Sequence, residues 1–352
     1  MFGSNEYMSR AYQLALESVT DGDLAKSSMV MVEATSQNPS LRLPHPIPYQ
    51  GSKRNLAATI LSFISGRKFR RLYEPFAGSA AFTIAAAYTE LADEYIIGDS
   101  LAPLISIWNQ VISSPDVLAN AYEKLWYGQI ENDTSYYYNK VRDEFNRSHD
   151  PASLLYLLAR CVKNSPRFNQ RGAFNQSPDK RRLGMHPSKM RDEILGASAI
   201  LTRRTTAISA DFESIIAKAS NEDVIYMDPP YEGTSTGGDR RYHQGLDRTR
   251  LIRVLADLNR RGVPFLLSYD GRCGEKMYGV ELPESLNLKH IELNVGRSSQ
   301  ATLNGKTDVT VESLYVSNNL VNDHYDQFAA DVLKTFRHII CTVRHLEPIT
   351  IA

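Results

Sequence analysis

The apolar positions switch period several times along the chain. Leu56 to Phe63 is spaced as a short helix. Arg71 to Glu74 reads as a strand, and Pro75-Phe76-Ala77-Gly78-Ser79-Ala80 as a turn of small residues. An Ala-rich helix from Ala81 to Tyr88 follows, then a second strand, Tyr95-Ile96-Ile97-Gly98-Asp99, ending in an acid. Strand, turn, helix, strand is a βαβ unit. Residues 102–160 are mostly helical in pattern. Val224 to Met227 predicts a strand ending at Asp228, Leu251 to Leu258 a helix, Pro264 to Ser268 a strand and Val311 to Val316 a late alternating strand. Strands and helices in alternation, split by a long middle segment, predict an open α/β sheet with an inserted subdomain. Tyr7 to Val19 reads as a helix, and 21–44, rich in Ser, Asn, Asp and Pro, as a linker.

Composition narrows this picture only a little. A 352-residue chain with 42% hydrophobic residues builds a sizeable core, and predicts about two domains or one large domain with an insertion. Three widely spaced cysteines with no CxxC argue against a disulfide framework or a zinc ribbon, and fit a reducing setting. No apolar run reaches membrane-span length. The first residues include Glu6 and Arg10 and no signal-type apolar stretch, so a cytoplasmic location is expected. No metal is expected, because neither His186 nor His243 has ligand partners at a recognisable spacing.

Charge is informative through its distribution. Lys+Arg and Asp+Glu balance at 40 each, yet 163–191 holds eight basic residues and one acid, Asp179. Asn164, Asn169, Gln170, Asn175 and Gln176 are interleaved with them. Arg and Lys neutralise phosphates, while Asn, Gln and Arg read base edges. A plain solvated loop is the alternative. A second basic stretch, 239–261, holds Arg240, Arg241, Tyr242 and His243 beside Gly237-Gly238, a loop able to close over a flipped base or to stay uninvolved. Tyr136-Tyr137-Tyr138 reads as helical core and surface, not as a stacking platform.

Two turns carry candidate chemistry. The Gly78 turn lets backbone approach a ligand at a helix N-terminus, and Asp99 lies 21 residues on, where ribose hydroxyls are held in nucleoside-binding sheets. A helix cap ahead of Pro103 is the other reading of Asp99. Asp228-Pro229-Pro230-Tyr231 is the most specific motif. Two prolines fix φ and stop the sheet, making a rigid turn at a strand's carboxyl end. It offers a carboxylate, a proline carbonyl and an aromatic ring. The first two accept hydrogen bonds from an exocyclic amine and the ring stacks on its base.

These residues resemble the DNA adenine methyltransferase family. The likeness covers roughly 47–320 in five ordered blocks: Tyr49 to Arg54, Glu74 to Ser79, Arg167 to Asn175, Asp228 to Tyr231, and Arg297-Ser298 with Glu312 to Tyr315. Ala80 replaces the last glycine of the second block. The resemblance implies a Rossmann-like methyltransferase core at 47–110 and 200–345, a mainly helical target-recognition insert at 111–199, and an extension at 1–46. It implies transfer of a methyl group from S-adenosylmethionine to N6 of a flipped-out adenine in duplex DNA. It places Tyr49, Lys53, Glu74, Phe76, Gly78, Asp99, Asp211, Phe212 and Asp228 at the cofactor. Catalysis falls to Asp228, Pro229, Pro230 and Tyr231. DNA contacts fall to Arg167, Asn169, Arg171, Asn175, Lys180, Arg181, Arg182 and Arg297. Asp211 also reads as a helix cap. Cytosine N4 and RNA are alternative substrates, and a non-catalytic DNA-binding module is an alternative role. A monomer or weak dimer is expected, in a bacterial or phage-infected cell, with a cognate restriction endonuclease as a candidate partner. GATC-methylating members carry a lysine before the aromatic of the first block. Here Pro48 stands there, so the preferred site is expected to differ from GATC or to be looser.

Overall fold

The computed structural model describes residues 29–33, 43–230, 246–274, 276–297 and 309–321. Among them, nine strands form one sheet: β1 (Met29–Glu33), β2 (Phe69–Glu74), β3 (Ala92–Asp99), β4 (Thr205–Ser209), β5 (Val224–Met227), β6 (Phe265–Cys273), β7 (Lys276–Tyr278), β8 (Lys289–Arg297) and β9 (Val309–Val316). The order is β1-β8-β9-β6-β5-β2-β3-β4, with β7 beside β6. β6, β5, β2, β3 and β4 run parallel, and β9 is antiparallel to β6 and to β8. The chain moves outward from β2 to β3 and β4, then returns across β2 to β5 and β6. The order therefore reverses between β2 and β5, and in open α/β sheets ligands bind at that switch point, beyond the strands' carboxyl ends.

The central strands are apolar on both faces because helices cover both. Leu72, Val224, Tyr226 and Leu266 face one core. Tyr73, Ile225, Met227, Phe265 and Leu267 face the other. The helices are α1 (Ala57–Ser62), α2 (Ala81–Tyr88), α3 (Ala102–Ser113), α4 (Pro115–Ile130), α5 (Thr134–Ser148), α6 (Pro151–Arg160), α7 (Pro187–Leu201), α8 (Phe212–Ile216) and α9 (Arg248–Arg260). The first seven share the core on the first face, and α8 and α9 pack on the second. In α9 the buried residues are Leu251, Val254, Leu255 and Leu258, one stripe at helical spacing, and the Asp247 side chain caps its first turn through Thr249 N. Residues 81–87 of α2 are buried all round, so the helix lies in the core and its alanines let neighbours approach closely.

The 21–44 stretch is not linker throughout. Met29–Glu33 pairs in parallel with His290–Asn294 and forms the sheet's edge. The Met-Val-Met-Val run is what extends as a strand there, and the polar residues around it hid that pattern. The buried residues of the helical segment 102–160 join the same apolar cluster as the sheet. The helix expected over 7–19 lies outside the described residues. Among the described residues no helix is long and apolar enough to cross a membrane.

Candidate active site

β2 delivers the first turn. Ala77 N donates to Gly98 O at 2.8 Å, tying the turn to the end of β3. Gly78 has φ +48°, and a Cβ there would lie 3.4 Å from the Tyr49 ring. Ala80 sits in the left-handed region too, at φ 45°, as the residue before α2. An alanine is tolerated there at a cost of about 1–2 kcal/mol that a glycine would avoid. Glu74 is buried and its Oε2 accepts from the Thr83 amide at 2.8 Å and from the Thr83 hydroxyl, so it fastens the start of α2. Burial raises its carboxyl to about 8. Glu74 thus enters the site chiefly as a clamp beneath the turn.

Asp99 lines the cleft and is held by a backbone amide on each oxygen. Its Oδ1 accepts from Leu101 N at 2.9 Å, holding the entry to α3, and its Oδ2 lies 3.3 Å from Gly78 N. Burial pushes its carboxyl up, and those two amides pull it back. The Trp108 indole donates to Gly78 O at 3.0 Å and locks the turn from behind.

β5 delivers the second turn on the other side of the switch point. Lys53 Nζ lies 2.9 Å from Asp228 Oδ1 and 3.3 Å from Glu312 Oε2. Burial raises the Asp228 carboxyl to about 6, with Lys53 opposing the shift and Glu312 adding to it. Glu312 is a site residue that the sequence reading did not single out. It opens the Glu312 to Tyr315 block of the resemblance, which carried no role for it.

One cleft of about 320 Å³ joins the two turns. Tyr49, Lys53, Glu74, Phe76, Gly78, Asp99, Asp211, Phe212, Asp228, Pro229 and Pro230 all line it. The Phe76 and Phe212 rings lie 5.1 Å apart at its side. Asp211 is also the cap of α8, accepting from Glu213 N, and its carboxylate pairs with Arg250. Arg250 stands over the Phe212 ring at 4.8 Å, so it too belongs to the wall. Phe168 lines the cleft from the middle segment. Tyr231, the side chain of Arg297, and 237–243 lie outside the described residues.

The basic segment is more ordered than a solvated run. Phe168 and Phe174 bridge across a tight loop. Asn169 Oδ1 accepts from Arg171 N at 2.9 Å and Ala173 N at 3.0 Å, so this amide oxygen shapes the loop and is taken from base reading. Gln170, Arg171 and Asn175 are left exposed, while Arg167 is half-buried. Asp179 is buried and bonds Arg182 Nε at 2.8 Å, so Arg182 is not the free cation its sequence context implied. Lys180 and Arg181 remain exposed. Arg191 is engaged with Asp116 and Glu123 of α4. His186 Nδ1 caps α7 through Ser188, a structural use. Of the tyrosine run, Tyr138 is buried and Tyr136 exposed.

Several known proteins are similar to this chain in sequence. The DNA N-6-adenine-methyltransferase of Escherichia phage P1 is 28% identical over 233 residues, covering 63% of this chain and 29% of that protein. The Retron Ec67 DNA adenine methylase of Escherichia coli is 29% identical over 204 residues, 56% of this chain and 68% of that protein. The Type II methyltransferase M1.LlaDCHI of Lactococcus lactis subsp. cremoris is 26% identical over 279 residues, 75% of this chain and 93% of that protein. The chain therefore spans under a third of the phage P1 protein's length and most of the lactococcal one. The model of one family matches residues 49–296, from the Tyr49 segment through both turns to the end of β8. With both turns inside that span, which covers more than half of the chain, the chain belongs to the D12 class N6 adenine-specific DNA methyltransferases.

Proposed function

We propose that this chain methylates the N6 amine of an adenine flipped out of duplex DNA, with S-adenosylmethionine as methyl donor. The observation that carries the reading is the meeting of the Gly78 turn and the Asp228-Pro229-Pro230 turn across one cleft at the sheet's switch point. The cleft fits the cofactor that the family implies. The Asp99 carboxylate is placed to accept from ribose hydroxyls, the Phe76 and Phe212 rings offer flanks to a base, and Gly78 presents backbone without a Cβ. When bound, S-adenosylmethionine supplies an electrophilic methyl group.

The chain's own residues position the amine. Lys53 holds Asp228 Oδ1, which orients the carboxylate and leaves Oδ2 to accept from an N6 hydrogen. The Pro229 carbonyl accepts the other. Drawing on both hydrogens turns the nitrogen lone pair out of conjugation with the ring, toward the donor. This is catalysis by placement and electrostatics. The exposed Gln170, Arg171 and Asn175 supply base contacts, and Lys180 and Arg181 phosphate contacts.

Calorimetry with S-adenosylmethionine, followed by transfer of tritiated methyl to unmethylated duplex DNA, tests the reading. Hydrolysis of the product and mass spectrometry of its nucleosides should show N6-methyladenine. Label found in cytosine, or preferentially in RNA under competition, would overturn it.

A further inference from the structure

The segment 176–185, which carries Lys180, Arg181 and Arg182, lies outside any helix or longer strand. It is nevertheless held from beneath by side chains that never reach solvent. Tyr138 Oη donates to Gln176 O at 3.0 Å, Gln129 Nε2 to Leu183 O at 2.9 Å and Tyr122 Oη to Met185 O at 2.6 Å. Arg160 donates through one guanidinium nitrogen to Asp179 O, at 2.6 Å, and to Arg182 O, and through Nε to Gln129 Oε1 at 2.6 Å. Tyr156 Oη donates to the same Gln129 oxygen at 3.1 Å. Arg160 is 2% exposed, and Tyr122, Gln129, Tyr138 and Tyr156 are 0% exposed.

A buried guanidinium is costly unless its donors are met, and the acceptors here are an amide oxygen and two backbone carbonyls. The chain spends that cost on one irregular segment. Gly184, at φ +84°, brings the backbone so close that a Cβ would lie 3.3 Å from Ala159 O and from the Arg160 side chain. Arg182 pairs with Asp179 at 2.8 Å, while the Arg181 side chain is 91% exposed and only 3.8 Å from the same carboxylate, a loose pairing that leaves it open to solvent. The underside is fixed and the upper side is cationic.

We propose that Arg160 is a positioning residue for DNA binding: its buried fork, seconded by Tyr122, Gln129 and Tyr138, presents Lys180 and Arg181 to backbone phosphates as a preformed pair. The inference rests on the DNA substrate proposed above. A flexible loop loses ordering entropy on binding, and a preformed one does not.

Full-length protein with Arg160→Met should lose about tenfold or more in affinity for duplex DNA at 150 mM salt. Its log–log salt slope should be shallower by about one to two, since each phosphate contact contributes about 0.9. The S-adenosylmethionine dissociation constant, and turnover at saturating DNA, should stay at wild-type values. Trypsin should cut after Lys180 to Arg182 faster in the variant. Arg160→Lys keeps the charge but cannot span three acceptors, so it should stay weak. Full recovery by lysine would reduce the role to charge and overturn the proposal. Tyr122→Phe combined with Tyr138→Phe removes two anchors at little risk to the fold, and should show the same signature in milder form. It decides the matter if Arg160→Met does not fold. Faster trypsin cleavage with DNA affinity and salt slope unchanged would mean that the loop is anchored for something other than DNA, and would also overturn the proposal. Failure of the wild type to bind any duplex, with its loop still protected, would instead locate the fault in the DNA reading.

Discussion

Asp228 is the residue on which the proposed chemistry turns, and its surroundings make a pH prediction. Its folded carboxyl titrates near 6, above the usual aspartate range, because burial and Glu312 outweigh Lys53. A protonated carboxyl cannot accept both from Lys53 and from an amine, so turnover should fall as pH drops through about 6. Stability has the opposite sign. The folded state holds this proton more tightly than the unfolded chain, so the Asp228 contribution to stability declines as pH rises from about 4 to 6. Asp228→Asn should therefore melt no lower than wild type at pH 7.5, while methyl transfer falls by at least about 10²–10³. Near-wild-type turnover in that variant would remove Asp228 from the mechanism. Asp99 calls for a subtler substitution, because it holds the α3 entry as well as facing the cleft. Asp99→Asn keeps an acceptor for Leu101 N but loses the charge. Calorimetry should show cofactor affinity down about tenfold or more, the value of a charge-assisted hydrogen bond of roughly 1.5–3 kcal/mol, with a melting temperature lowered slightly by loss of the oxygen that accepts from Gly78 N. At this scale the residues of the two turns were legible, since small residues, prolines and acids at strand ends have few other uses. Glu312 was not, because only the β6–β9–β8 pairing brings it to Lys53.

Elements were legible where an apolar run met clear turn residues, and buried β8 and α7 went unread because they lack such a run. α2 and β5 match their expected bounds, because an unbroken apolar run closed by turn residues admits few other readings. β4 went unseen because it is a half-exposed edge strand, Thr205–Ser209, with no alternation to read. β1 was concealed by polar neighbours, and its pairing with β8 is a long-range fact. The loop around Asn169 shows how local chemistry redirects a reading. Asn169 looked like a base reader, yet its side-chain oxygen closes the turn that displays Gln170 and Arg171. The two positions should then separate by experiment. Asn169→Ala should loosen the loop and weaken binding to all duplexes by a similar factor. Arg171→Ala should keep the loop and relax discrimination at one base, by about 1–3 kcal/mol. Competition binding against a panel of single-base variants distinguishes a uniform loss from a selective one. Base-selective loss from Asn169→Ala alone would return that side chain to direct readout.

Among the described residues, the cleft and the middle segment share one core. Their buried residues form one apolar cluster with the sheet, Phe168 reaches the cleft wall, and Gln50 N donates to Asn164 O at 2.9 Å. The segment 48–53 is thus pinned between the site of chemistry, through Lys53 and Asp228, and the segment proposed to read DNA. That placement gives Pro48 its consequence. Proline brings no hydrogen-bond donor to a guanine edge. The neighbouring Gln50 is exposed, but an amide is suited to adenine, not to the bidentate guanine contact that Arg or Lys makes. In the proposed function, chemistry and target choice rest on different side chains of one short segment, so that the second can change while the first stays fixed. The chain should methylate adenine at a site other than GATC, or at GATC among a looser set. Single-molecule sequencing of plasmid methylated in a host without its own adenine methylases reads the preference directly. Modification confined strictly to GATC would refute this prediction, and would assign the first-base contact to a basic residue elsewhere on the same face, for which the exposed Arg54 is the first to replace with alanine.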